Sequence, residues 1–173
     1  MTSAPIRVLL WGDPTTEEMR PLAVHLLTLP VAIVSCRDPL GFESAALSFD
    51  GEPELVIALQ SWPDEFPRSV VERAIGRFPL ARWVCCYGAW CASDGRTRDI
   101  WPNAARVPVE AAPARIAREL SVLRGELFPL PLTASRDEAF AFDLAEVAGM
   151  GELRRADERR CAEQITVQRG SPP

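Results

Sequence analysis

Cys91, Arg96 and Arg98 stand close together in residues 87–103, YGAWCASDGRTRDIWPN, beside Trp90, Trp101, an Asp94-Gly95 turn and Pro102. A cysteine next to guanidinium groups has the ingredients of a low-pKa thiolate nucleophile. Nucleophilic catalysis also needs a base within reach. His25 is the only histidine, and it falls on a distant helical stripe. The expectation is therefore no enzyme, with Cys91 as the position a nucleophile would take. Paired arginines hold a phosphate or a carboxylate; Arg96 and Arg98 have that option, and also the option of pairing with Asp94 and Asp99 in their own loop. Trp and Arg are the residues most enriched at binding hot spots. Trp90 and Trp101 either stack on a ligand, anchor a partner, or fold back over the end of a sheet.

The elements that would position this loop follow from apolar periodicity. Residues 6–11, 31–36, 54–60 and 82–87 are short apolar runs of buried-strand length, and 105–109 is a weaker fifth strand. Pro108 cannot donate to a ladder, so that strand suits a sheet edge. Between the strands lie helical stripes. Thr15 to Glu18 reads as a capping box that opens a helix carrying Met19, Leu22, Ala23, Leu26 and Leu27. Asp38-Pro39 reads as an N-cap with proline at the first helical position, opening a helix through Phe49. Val70, Val71, Ala74, Ile75 and Phe78 form a third stripe; Ile116, Ala117, Leu120 and Leu123 form another behind Pro113. Buried strands alternating with amphipathic helices predict an α/β protein with a parallel sheet covered on both faces. Ligands of such sheets bind outside the carboxyl ends of the strands. Three of those ends carry tryptophan: Trp11-Gly12-Asp13, Gln60-Ser61-Trp62, and Gly88-Ala89-Trp90. Asp13 reads as a structural cap at the start of a helix or as an acid of a new site.

The 173 residues carry a net charge of −5, with 47% hydrophobic residues. An acidic chain lacks the basic footprint of nucleic-acid binding. No run approaches the ~20 apolar residues of a membrane span. The start, MTSAPIRVLLWGD, has no secretory pattern and reads as the first strand of a soluble cytoplasmic protein. All 19 basic residues are arginine, so any mechanism that needs a lysine ammonium is excluded. Cys36, Cys85, Cys86, Cys91 and Cys161 make an odd count without C-x-x-C, which fits reduced thiols and no zinc site. Cys85 and Cys86 would point to opposite faces of one strand. No metal and no cofactor are expected.

RVLLWGD (residues 7–13) and PELVIALQSWP (residues 53–63) resemble the first and third strands of the receiver domain of bacterial response regulators. The resemblance spans residues 5–125. It implies a flavodoxin-like three-layer sandwich with a five-stranded parallel sheet in the order 2-1-3-4-5. GAWCASDGRTRDIWP also resembles a G-x-W-C…R-T…W-P loop of uncharacterised, degenerate receiver-like bacterial proteins. A receiver needs an acidic pair for Mg²⁺, a phosphoacceptor aspartate, a Thr/Ser and a lysine, because charge on the transferring phosphoryl group must be neutralised. Here the acidic pair reduces to Asp13 beside Gly12, the acceptor position falls on Leu59, the Thr/Ser position falls near Gly88, and no lysine exists. Residues 92–103 show no stripe for the family's fourth helix.

The resulting expectation is a receiver-like module that binds another protein without phosphorylation. The alternative is a small-molecule or anion-binding domain at a tryptophan-lined sheet edge. Trp11, Asp13, Trp62, Trp90, Arg96, Arg98 and Trp101 are the candidate binding residues. On the first reading Trp90 packs beside Trp11 and Trp62 and closes the edge, while Arg96 and Arg98 face an unidentified protein partner; nucleic acid and membrane are not expected, and a homodimer stays open. Beyond the domain, residues 126–150 are expected to dock as an extension through Phe140, Leu144 and Val147. Residues 151–173 read as a charged, flexible tail.

Overall fold

The computed structural model describes residues 4–48, 50–93, 100–102 and 104–130. The chain divides into two compact units, Met1–Pro129 and Leu130–Pro173. The sheet and its helices lie in the first. From residue 131 onward the second falls outside the described residues, and with it most of the expected extension and the whole of the expected tail.

Five parallel strands, β1 (Ile6–Trp11), β2 (Val31–Cys36), β3 (Leu55–Gln60), β4 (Arg82–Tyr87) and β5 (Ala105–Pro108), form one sheet in the order β2-β1-β3-β4-β5. The fold class and strand order are those expected. β3 lies at the centre and is buried along its whole length, as an unbroken apolar run predicts. Strands β2 and β5 are the edges, and Pro108 stands opposite Tyr87 in the outermost ladder.

The pleat sends alternate residues to two cores. Val8, Leu10, Leu55, Ile57, Leu59, Val84 and Cys86 pack with Met19, Leu22 and Leu26, at and within helix α1 (Arg20–Leu26), and with Ile116 and Leu120 of α4 (Ala112–Leu123). Leu9, Trp11, Val56, Ala58, Trp83 and Cys85 pack on the other face. There they meet Phe42 of α2 (Phe42–Ala46) and Val70, Val71 and Ala74 of α3 (Arg68–Arg77). Cys85 and Cys86 thus belong to opposite faces, and burial pushes the Cys85 thiol up to about 12.

Two helix starts differ from the sequence pattern. Residues 14–19 form turns, and α1 begins only at Arg20. Asp13 Oδ1 accepts from the Thr15 amide at 2.9 Å and the Thr15 hydroxyl at 2.6 Å. Glu18, the reciprocal half of the expected capping box, instead accepts from the Ala89 amide at 2.6 Å. A tertiary bond has displaced the local one. The expected helix from residue 38 to Phe49 is also short. Asp38 accepts from the Leu40 amide at 2.9 Å and opens a 3₁₀ turn, Pro39–Gly41, before the single short helix α2. Among the described residues, no helix is long and apolar enough to cross a membrane.

Candidate functional site

The carboxyl edge of the sheet is where three tryptophan-bearing turns converge, and the structure separates their indoles into two groups. Trp11 is fully buried. Its ring meets Phe66 edge-on at 4.7 Å, Phe42 at 5.4 Å, Trp101 at 6.0 Å and Trp83 at 6.2 Å. Trp101 is buried in the same cluster and lies 5.2 Å from Phe66. Trp62 and Trp90, by contrast, are 58% and 70% exposed. Their ring centroids are 6.2 Å apart with planes 23° from parallel. The expectation that Trp90 packs beside Trp11 and closes the edge is therefore corrected: Trp90 leaves β4 on a 3₁₀ turn, Ala89–Cys91, that turns Cys91 inward and Trp90 outward onto Trp62. Trp11 does not line an opening; it is core.

Gln60, at the end of β3, seals the edge beneath these turns. Its side-chain oxygen accepts from Trp101 Nε1 at 2.9 Å and, more weakly, from the Cys85 thiol at 3.6 Å. Its amide nitrogen donates to the carbonyls of Trp62 and Pro63, each at 3.3 Å. A fully buried amide must have its partners inside the protein, and here those partners tie β3, β4, the Trp62 turn and Trp101 together. Leu59, the position that the receiver resemblance gives to the phosphoacceptor, is fully buried in the α1/α4 core. Gly12 lies against it with φ at 114°, and a Cβ there would strike the Leu59 carbonyl oxygen.

Two carboxylates hold the exposed turns. Glu18 lies so close over Gly88 that a Cβ at that residue would collide with its carboxylate, and it caps the Ala89 amide. Glu65 Oε2 accepts from the amides of Ser61 at 2.6 Å and Trp62 at 3.2 Å. Burial raises the Glu65 carboxyl above its usual range; the two amides oppose that shift, and the nearby charge of Asp13 adds to it. Asp13 itself, half-buried and held by Thr15, is shifted down by that hydrogen bonding. A raised folded pKa means that protonation favours the folded state, so this contribution is lost as pH rises through the Glu65 value. Glu65→Gln keeps an acceptor and removes the charge. Its melting temperature relative to the unmodified protein should rise between pH 4 and pH 7, roughly the span across which a raised glutamate ionises. Glu65→Ala leaves the buried Ser61 turn unpaired and should cost about 1–3 kcal/mol at pH 7. Thermal melts of the two variants across that range check both outcomes.

Cys91 is buried, and its carbonyl accepts from Arg106 Nη2 at 3.2 Å. The Arg106 guanidinium in turn lies 4.8 Å from the centre of the Tyr87 ring. His25 is half-buried on α1. Arg96 and Arg98 lie outside the described residues. Among the described residues, no group of three or more His, Cys, Asp or Glu side chains could hold a metal ion. The structure thus brings Trp62, Trp90 and Asp13 to one edge and withdraws Trp11 and Trp101 from it. Gln60, Glu18 and Glu65, which organise that edge, were not among the expected residues. The nearest sequence signal was Gln60, a polar residue closing an otherwise apolar strand.

No family model matches the chain, and no curated protein matches it. A solved structure that it resembles, an adenylate cyclase from Rhodopirellula baltica, shares 12% identity at a TM-score of 0.38, over 90% of this chain and 96% of that one. Likeness at that level carries no argument about the site.

Proposed function

We propose that the chain is a receiver-like interaction module that works without phosphorylation and that binds a protein partner through the exposed edge around Trp62 and Trp90. The observation that carries this reading is the exposed, near-parallel indole pair. Large aromatic side chains held in place and left accessible are the usual anchors of protein interfaces. The edge beneath them supports the same reading. Gln60 fills it with satisfied hydrogen bonds and Leu59 offers no acceptor, which speaks for a surface rather than a pocket.

Trp62→Ala with Trp90→Ala should lower stability by less than about 1.5 kcal/mol, the worth of an exposed aromatic pair. The same double variant should lose the partner in co-purification from the cells that make it. Acetyl phosphate with Mg²⁺ should change neither the intact mass nor partner binding. Loss of folding in the double variant, or a phosphoryl adduct that switches binding, would overturn the reading.

A further inference from the structure

The surroundings of the indole pair say what kind of group it suits. Trp62 and Trp90 lie near-parallel with ring centroids 6.2 Å apart, and both residues are more than half exposed. The backbone that holds each ring is fixed by a carboxylate: Glu65 on the Trp62 amide, and Glu18 on the Ala89 amide next to Trp90. Asp13 is near enough to Glu65 to raise its carboxyl. Glu17, next to Glu18, is exposed. The segments that hold the two electron-rich rings therefore bring Glu65, Glu18 and Glu17 to this edge, with Asp13 near Glu65 and Arg37 near Asp13, so that among these groups carboxylates outnumber the one arginine. The negative face of an indole attracts a cation, and carboxylates at its rim add to that attraction. An anion or a negatively charged peptide would be repelled by both.

We propose that the Trp62–Trp90 pair receives an arginine or lysine side chain from a basic segment of a protein partner, with Asp13 and Glu17 steering that segment to the rings. This rests on the reading of the edge as a protein-binding surface and names the chemistry it selects. A segment rather than a free cation is the occupant, because Gln60 fills the edge beneath the rings with satisfied hydrogen bonds and the two indoles stand exposed above it.

The test uses the full chain and a fluorescein-labelled peptide of alternating glycine and arginine, followed by fluorescence anisotropy. Saturable binding is expected, weakening as salt screens the exposed carboxylates. Trp90→Leu, which keeps an apolar side chain but removes the π-face, should weaken binding roughly tenfold or more, and Trp90→Phe should keep most of it. Asp13→Asn retains the acceptor for Thr15 and loses the charge; it should weaken binding a few-fold and flatten the salt dependence. Equal binding by Trp90→Leu and the unmodified chain would overturn the proposal, since it would reduce the effect to general attraction by an acidic protein. Equal binding of a glycine-glutamate peptide would also overturn it. N-acetylarginine amide binding as tightly as the peptide would overturn the assignment to a protein segment. If the basic peptide fails while partner capture still depends on Trp62 and Trp90, the cation assignment falls and the protein-binding surface stands. If capture does not depend on them either, both fall.

Discussion

Trp11→Ala should cost about 3–5 kcal/mol, the usual loss on emptying a buried aromatic site. For a domain of this size that is a fall in melting temperature of roughly 6 to 20 °C. Trp11 is the hub of the α2/α3 core: four aromatic rings meet it, from α2, the Phe66 turn, β4 and the segment entering β5. Removing it leaves a cavity that rigid aromatic neighbours close poorly. Trp11→Phe should be far milder, at less than half that cost. It keeps a ring against Phe66, and it deletes an indole N–H that is buried without a hydrogen-bond partner. An orphaned buried donor costs about 1–3 kcal/mol, so losing it offsets part of the lost volume. Thermal or denaturant melts of the two variants check this. A Trp11→Ala loss below about 1 kcal/mol would place the ring at a surface, not in a core.

Gly12→Ala should be the second most damaging change, at about 2–4 kcal/mol. Two independent costs combine at Gly12. Its φ of 114° is a conformation that L side chains rarely adopt, which costs about 1–3 kcal/mol. The new Cβ would also strike a backbone oxygen of the central strand, at Leu59, and backbone cannot rotate away as a side chain can. Since the Gly12 amide donates to the Cys36 carbonyl at 2.8 Å, any shift at Gly12 disturbs the ends of β1, β2 and β3 together. Gly88→Ala is the comparison. Its nearest contacts are all at the carboxylate end of Glu18, which can swing off the Ala89 amide at a cost near that of one hydrogen bond, about 0.5–1.5 kcal/mol. Denaturant midpoints should therefore rank Gly12→Ala well below Gly88→Ala. The reverse order would mean that the β1–β3 approach is looser than described.

The sheet was legible in the sequence because its determinants are local. Runs such as VAIVSC and LVIALQ are apolar on both faces and bounded by Pro, Asp-Gly or Ser-Trp-Pro, so each reads as a buried parallel strand. The strand order is the one the receiver resemblance implies; right-handed connections are compatible with it but do not single it out. The site was legible only in part. Three tryptophans at three strand ends are visible in the sequence, but which of them turn inward is decided by one residue of phase. Trp11 is the last residue of β1, and its pleat aims it at α2 and α3. Trp62 and Trp90 come after their strands have ended, where the turns set the direction. Glu18 illustrates the same limit. Its spacing from Thr15 fits a capping box, yet its partner lies 71 residues away at Ala89, a contact no local pattern contains. Gln60 is similar, since an amide at a strand end is unremarkable until Trp101 and two carbonyls converge on it.

The central claim is that the edge bearing Trp62 and Trp90 is the face that meets another protein. Its most direct test is a photo-reactive benzophenone amino acid placed at position 92 in the cells that make the protein, since Ala92 is exposed at the end of the turn that carries Trp90 and both indoles stay in place. The same group at position 80 is the control, since Leu80 is 90% exposed and lies at the opposite end of β4. The account predicts a discrete protein cross-link from position 92, none from position 80, and no change in the cross-link when acetyl phosphate is raised. No cross-link from position 92, or equal cross-linking from both positions, would contradict it.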